Sequence, residues 1–323
     1  MTLLVIGDLH FQEKDPQLYI LFTKKVEEWL STKDYIGVVL LGDIQHKFKT
    51  VDRVAQTLVC ELFKTITCFT RLYVLVGNHD YDNGAQFLSE NHTLVPFKEW
   101  PNIEILDKPK VFQINGQDIL MVPYVPKGRF LEAIENIDTK YKLVLAHQEF
   151  MGSLMGPYPS TDGDLWSDKF PIVLSGHAHT RHNVGNVWYV GMPYDDGWDE
   201  SCKRYVAEIV LEKKIKINFI PTKMPRKIFE KLTYEEALAW APKNIHDTYR
   251  LQVVCSSEEF KQVKKKLKDV RVQHITTDPK KVAEILEKRK AAAGKSLKYT
   301  DIFYNLIQGE SNLIKDLYKK INE

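Results

Sequence analysis

Leu3-Leu4-Val5-Ile6-Gly7-Asp8-Leu9-His10 is the stretch on which the reading of this chain turns. Four aliphatic residues in a row, closed by glycine, predict a short strand buried on both faces. Asp8 and His10, just past its end, are residue types that hold metal ions. The same pattern recurs four times. Val38-Val39-Leu40-Leu41 leads to Asp43, and residues 72–76 lead to Asn78 and His79. Residues 143–145 lead to His147, and residues 172–174 lead to His177 and His179. A lone Asp-x-His is ordinarily surface chemistry, and a lone Asn-His-Asp is ordinarily a turn. Five strand-end placements in one chain mean more, because ligands at strand ends can converge on one edge of a sheet.

Around these runs, residues 1–220 alternate strands and helices. Residues 18–30 and 51–66 carry helical apolar spacing between the first three strands, as crossover connections of an α/β fold would. From Ile103 onward strands predominate, with runs at 103–106, 110–114, 118–122, 142–145, 172–174, 187–190, 204–211 and 215–220. Asn115-Gly116 is a hairpin turn signal between two of them. The expected fold class is α/β: two sheets packed face to face and flanked by helices, an α-β-β-α sandwich. Pro221 and Pro225 mark a linker, which sets a first domain at 1–222.

Residues 223–298 read as a small α/β capping domain. Residues 249–255 predict a strand, and Ser256 with Glu259 forms a capping box opening a helix with Phe260, Val263 and Leu267 on one face. Residues 270–275 predict a second strand, and Asp278-Pro279 opens another helix. Residues 299–323 end the chain in amphipathic helices. One carries Ile302, Phe303, Leu306 and Ile307, the other Leu313, Ile314, Leu317, Tyr318 and Ile321.

A length of 323 residues suits one large domain and a smaller one. The apolar stretches stop short of the about 18 residues that a membrane span needs. The N-terminus enters a strand at once, without the basic segment and apolar core of a secretion signal. Cys60, Cys68, Cys202 and Cys255 are scattered and form no Cys-x-x-Cys pair, the pattern of reduced thiols. We therefore expect an intracellular protein, cytoplasmic or nuclear, with no membrane association. A net charge of +2 hides an asymmetry: 23 basic against 29 acidic residues through Thr222, then 22 against 14. Bound cations would neutralise acidic residues in the first part, and the basic remainder could attract a polyanion.

Hydrolysing a phosphodiester requires a nucleophilic water made at neutral pH, neutralised charge on the phosphorus oxygens, and a proton for the departing alkoxide. Two divalent ions about 3.5–4 Å apart supply the first two. Such a site needs a carboxylate that bridges both ions, with oxygen and imidazole ligands around it. Mixed Asp, Asn and His ligation suits Mn, Fe or Zn better than Ca or Mg.

Taken together, Gly7-Asp8-Leu9-His10, Gly42-Asp43, Gly77-Asn78-His79-Asp80, Ala146-His147 and Gly176-His177-Ala178-His179 resemble the motifs of the calcineurin-like metallophosphoesterase superfamily. The resemblance implies that Asp8, His10 and His179 bind one metal, that Asn78, His147 and His177 bind the other, and that Asp43 bridges them. It implies two divalent ions, with Mn2+ the first choice. It also implies that His79 is the general acid for the leaving oxygen, a role suited to imidazole.

The position three after Asp43 divides the superfamily further. Protein phosphatases carry Gly-Asp-x-x-Asp-Arg-Gly, whereas this chain has Gly42-Asp43-Ile44-Gln45-His46. His46 resembles the SbcD branch, the nuclease subunit of SbcC–SbcD double-strand-break repair complexes, where a His contacts or rotates the scissile phosphate. His147-Gln148 is similar to that branch too, although Glu149 stands where Gly often follows. The segment from Gly185 through Tyr194, with Trp198 and Lys203-Arg204, is similar to phage versions of the subunit. The chain is compact for the branch, which also resembles phage or viral versions acting in an infected cell.

The resemblance implies a 3′→5′ exonuclease and single-strand endonuclease, working as a homodimer with an SMC-like coiled-coil ATPase partner of SbcC type. DNA would lie against the cap, where Lys261, Lys264, Lys265, Lys266 and Lys268 make a basic helix, and the C-terminal helices would dock the ATPase. Residues 150–170 form a long aperiodic segment leaving His147, in which Tyr158 or Trp166 could stack on an unpaired base. Tyr194 is placed where it could touch substrate. Two other readings stay open: a small-molecule or cyclic-nucleotide phosphodiesterase of the same superfamily, and a non-enzymatic scaffold, which would be expected to have lost a ligand.

Overall fold

The structure, a computed structural model, describes residues 1–276 other than 139, 199–202 and 269. The chain divides into two compact units, Met1–Arg226 and Lys227–Glu323.

In the first unit, β1 (Thr2–Ile6) leads through α1 (Pro16–Thr32) to β2 (Gly37–Leu40), and α2 (Arg53–Thr67) connects to β3 (Leu72–Leu75). A short 3-10 turn at Val95–Phe97 precedes β4 (Ile103–Leu106). Then come β5 (Lys110–Ile114), β6 (Gln117–Val122), the five-residue helix α3 (Phe130–Ile134) and β7 (Leu143–Ala146). A two-residue hairpin, β8 (Leu154–Met155) and β9 (Tyr158–Pro159), lies before β10 (Ile172–Ser175). The unit closes with β11 (His182–Val184), β12 (Val187–Tyr189), β13 (Tyr205–Leu211) and β14 (Ile215–Pro221).

Two six-stranded sheets result, ordered β14-β13-β1-β2-β3-β4 and β11-β12-β10-β7-β6-β5. Strands β1 to β4 run parallel, as do β6, β7, β10 and β12. The alternation of side chains across each strand explains the unbroken apolar runs. Leu3, Val5, Val39 and Leu41 point between the sheets and meet Met121, Leu143, Leu145 and Leu174. Leu4, Ile6, Val38 and Leu40 point outward and pack under Tyr19, Phe22 and Val26 of α1 and Leu62 and Phe63 of α2. On the far face, Val122, Val144 and Val173 pack under Phe130, Ile134 and Phe150. Each such side chain, fully buried, contributes about 1.5–3 kcal/mol. The expected α-β-β-α sandwich is the observed one, although the second sheet's outer layer is mostly loop.

The expected hairpin turn forms, and two helix starts carry local signals of their own. Asn115 and Gly116 both have positive φ, 50° and 68°, and turn β5 into β6 with Ile114 opposite Gln117. Pro16 begins α1, and the Asp52 carboxylate caps α2 by accepting from the Val54 and Ala55 amides.

Among the described residues of the second unit, β15 (Lys227–Thr233), α4 (Tyr234–Ala239), β16 (Thr248–Cys255), α5 (Ser257–Lys266) and β17 (Arg271–Thr276) form a parallel three-stranded sheet under two helices. Ser256 and Glu259 make the expected capping box, and Thr233 with Glu236 makes a second one. Ala237, Leu251, Val253, Val263 and Leu267 are the core of this unit. Strand β15 and α4 occupy a stretch of the expected small domain to which no element was assigned from sequence. The helix expected from Asp278-Pro279 and the C-terminal helices lie outside the described residues. Among the described residues no helix is long and apolar enough to cross a membrane.

Candidate metal centre

Parallel strands end together, so the loops after β1, β2, β3, β7 and β10 gather at the carboxyl edges of both sheets. Asp8 and His10 follow β1, Asp43 follows β2, Asn78 and His79 follow β3, His147 follows β7, and His177 and His179 follow β10. Hydrogen bonds tie these loops together, one across the two sheets and two within the first. The His177 amide donates to Asp8 Oδ1 at 2.9 Å, and the Leu9 and His10 amides donate to the Asp43 carbonyl at 3.1 and 2.9 Å.

Close approach is what the motif glycines permit. A Cβ on Gly176 would lie 2.5 Å from Asp8 Oδ1 and 2.9 Å from the Leu41 carbonyl oxygen. One on Gly77 would lie 2.2 Å from Asp43 Oδ1. Three ligand-type residues, His10, Asp43 and His177, have φ of 47°, 50° and 75°. Such left-handed conformations cost about 1–3 kcal/mol for residues other than glycine and persist where surrounding structure imposes them.

The side chains form two groups. In one, His10 Nε2 lies 3.1 Å from His179 Nε2 and 3.5 Å from Asp43 Oδ2, with Asp8 beside them. In the other, Asn78 Oδ1 lies 3.0 Å from His147 Nε2 and 2.8 Å from His177 Nδ1, and Asp43 Oδ1 lies 3.4 Å from His147 Nε2. Asp43 thus reaches both groups, one with each oxygen. His147 Nδ1 donates to the Leu41 carbonyl at 2.7 Å, which leaves the Nε2 lone pair facing Asn78 and Asp43. Asp8 Oδ2 is buried without a hydrogen-bond partner among the described residues. An orphaned carboxylate oxygen and imidazole nitrogens crowded to 3.1–3.2 Å are what a cation-binding donor set looks like without its cations. The residues present fit two divalent ions.

The electrostatics point the same way. Burial pushes the Asp8 carboxyl above the usual carboxylate range, outweighing His147, and nearby Asp43 adds to the rise. Burial would lift Asp43 too, but the imidazoles of His147 and His10 prevail and hold it well below that range. Burial works against a charge on His147, yet Asp43, Asp8 and the Leu41 carbonyl raise it to about 9. Burial lowers His10, His177 and His179, keeping their lone pairs available.

His79 and His46 stand beside these groups, both half-buried. His79 Nδ1 donates to the His46 carbonyl at 2.6 Å, its Nε2 lies 4.0 Å from Asp43 Oδ2, and its ring packs 4.1 Å from Phe48. The His46 ring lies 5.3 Å from His10 and 5.6 Å from His79. Every residue singled out from the motifs is therefore brought to one place.

Other expectations are corrected. Tyr194 is fully buried, and its hydroxyl donates to the Leu9 carbonyl, so it braces the first loop and does not face a substrate. Trp166 packs against Phe130, Phe150 and Phe170 and donates to the Pro171 carbonyl at 2.9 Å; it anchors its loop. Tyr158 is 75% exposed at the hairpin tip. Asp80 has a role that its local sequence does not announce. Its carboxylate accepts from the Ile44, Gln45 and Gly77 amides at 3.1, 3.4 and 2.9 Å, clamping two ligand loops together. Glu149, likewise silent in its local sequence, lies 3.5 Å from His177 Nε2.

Comparison with known proteins agrees with this geometry. Residues 1–205 match the calcineurin-like phosphoesterase family. Two relatives are provisionally named phosphoesterases. Protein 244L of Invertebrate iridescent virus 6 is 35% identical over 81% of this chain and 97% of its own length. Protein 078R of Invertebrate iridescent virus 3 is 33% identical over 73% of this chain and 70% of its own. Exonuclease subunit 1 of Enterobacteria phage T4 is 26% identical over 60% of each chain. With its ligand-type residues gathered at the strand ends and well over half of its length matched, the chain belongs to the calcineurin-like phosphoesterase family.

Proposed function

We propose that this phosphoesterase is a metal-dependent DNA nuclease of SbcD type, working 3′→5′ at ends and nicking single strands. The observation that carries the reading is His46. It is not needed as a ligand, yet its ring faces both His10 and His79 beside the two groups, where a bound phosphodiester would meet it. The similarity to the phage T4 exonuclease subunit supports it. In this reading Asp8, His10 and His179 hold one ion, Asn78, His147 and His177 hold the other, and Asp43 serves both. Mn2+ suits that donor set. Bound ions would supply a hydroxide at neutral pH and neutralise charge on the phosphate.

The chain's own residues then do the rest. His79 spends its Nδ1 proton on the His46 carbonyl, which aims Nε2 at the leaving oxygen, where the imidazolium would give up its second proton. His46 orients the phosphate. The second unit contributes the exposed lysines of α5, Lys261, Lys264, Lys265 and Lys266, with Lys268 just beyond, as backbone-phosphate contacts. A coiled-coil ATPase partner and a homodimer belong to the same proposal, and the viral and phage relatives favour action inside an infected cell.

The test is Mn2+-dependent cleavage of end-labelled duplex and single-stranded DNA beside a small phosphodiester, with His79→Ala as control. We expect His79→Ala to keep its metal and lose about 10²–10⁴-fold in turnover. Cleavage of the small diester with DNA untouched even at low salt would replace the nuclease by a small-molecule phosphodiesterase.

A further inference from the structure

We infer that Glu149 is a positioning residue of the metal centre, fixing the tautomer and orientation of His177 and tying that ligand to the hairpin loop of β8 and β9. The inference rests on the two-metal reading above. His177 is held at both ring nitrogens. Nδ1 faces Asn78 Oδ1 at 2.8 Å and His147 Nε2 at 3.2 Å, the side where an ion would be held. Nε2 faces Glu149 Oε2 at 3.5 Å. A neutral imidazole carries one proton. A carboxylate behind Nε2 draws that proton to itself and leaves the lone pair on Nδ1, pointing at Asn78 and His147. At 3.5 Å the contact is longer than a well-formed hydrogen bond, so its effect is mainly electrostatic. Glu149 is only 5% exposed, and that interaction is weakly screened.

Charge counting gives the carboxylate its purpose. One group of ligands contains Asp8 in addition to the shared Asp43. The other offers only neutral Asn78, His147 and His177 beside Asp43. A negative charge one imidazole away makes His177 a more basic donor on the side that lacks its own carboxylate. Glu149 Oε1 is also the node of a second set of contacts. It accepts from Ser160 Oγ at 2.5 Å and pairs with Lys127 Nζ at 3.0 Å. Ser160 Oγ accepts from the Gly163 amide at 3.0 Å, and Lys127 pairs with Asp162 at 3.0 Å. The loop that carries exposed Tyr158 is thus fastened, through one buried side chain, to a metal-ligand candidate.

The test titrates the metal-free full-length protein with Mn2+ alone by calorimetry, for wild type, Glu149→Gln, Glu149→Ala and Ser160→Ala, with a thermal melt of each. Wild type should bind two ions. Glu149→Ala should weaken one of them by about 10–100-fold and leave the other unchanged. Glu149→Gln, nearly isosteric and uncharged, should fall between, and it carries the test if the alanine variant fails to fold. Ser160→Ala keeps the carboxylate and should bind both ions as wild type does. Two unchanged affinities in the Glu149 variants would overturn the inference while leaving the two-metal reading intact. An equal loss in Ser160→Ala would also overturn it, showing that loop anchoring alone matters. Fewer than two ions on wild type would instead bring down the two-metal reading, and this inference with it.

Discussion

Asp8 and Asp43 share one buried site yet have opposite preferences for charge. Burial keeps a proton on Asp8, while the imidazoles around Asp43 hold it ionised and place a proton on His147, raised to about 9. The proposed metal ligation needs Asp8 as carboxylate and His147 neutral, so protons would have to leave as ions enter. Both groups are raised, so protons hold them at low pH and are lost as pH rises. We expect Mn2+ affinity to climb from pH 6 to about 9 and then level off, with proton release confirmed by calorimetry in buffers of different ionisation enthalpy. At this scale the candidate ligands that the fold gathers were legible because each stands just past an apolar run, a pattern local to the sequence. Tyr194, Asp80 and Glu149 were not, because what they do depends on partners far along the chain: Leu9, the loop after β2, and His177.

Elements decide how tightly the loops may meet. The turn after β10 passes so near the turn after β1 that a methyl group on Gly176 would sit 2.5 Å from Asp8 Oδ1. Gly176→Ala should therefore displace Asp8, leaving a folded protein that binds one ion in place of two, as metal analysis after gel filtration would show. Strands β1, β2, β3, β7 and β10 were readable as elements because burial on both faces demands consecutive aliphatic residues. Strand β15 escaped because its Lys-Ile-Phe-Glu-Lys-Leu-Thr sequence is polar and half-exposed at a sheet edge. The hairpin of β8 and β9 escaped because two-residue strands have no period to detect.

For the whole molecule, charge is divided along the chain: an acidic first part bearing the candidate metal ligands and a basic remainder. If the exposed lysines of α5 touch a nucleic-acid backbone, replacing Lys264 and Lys265 by Glu should weaken DNA binding across all sequences. The salt dependence should become shallower by about one unit of slope per contact removed, while hydrolysis of a small diester stays unchanged. The two-sheet layout was legible from strand number and apolar pattern. The register between the sheets was not, because nothing in a single run says which distant run it faces.

That layout also sets a timetable. The hydrogen bond from the His177 amide to Asp8 and the contact between His10 and His179 each span 169 residues of chain. On the proposed ligand assignment, a chain growing from its N-terminus would hold Asp8 and His10 for most of synthesis with no possibility of completing either ion's coordination. Contacts of such sequence separation close late, after the loop entropy between them has been overcome. We expect refolding followed with a fluorescent Mn2+ indicator to show metal uptake only in the final kinetic phase. Uptake in an early phase would mean that the loops after β1 and β10 meet before their sheets do. If the proposed ligands hold the ions, metal occupancy is a record of maturation: a chain halted anywhere before His177 has a complete set of ligands for neither ion.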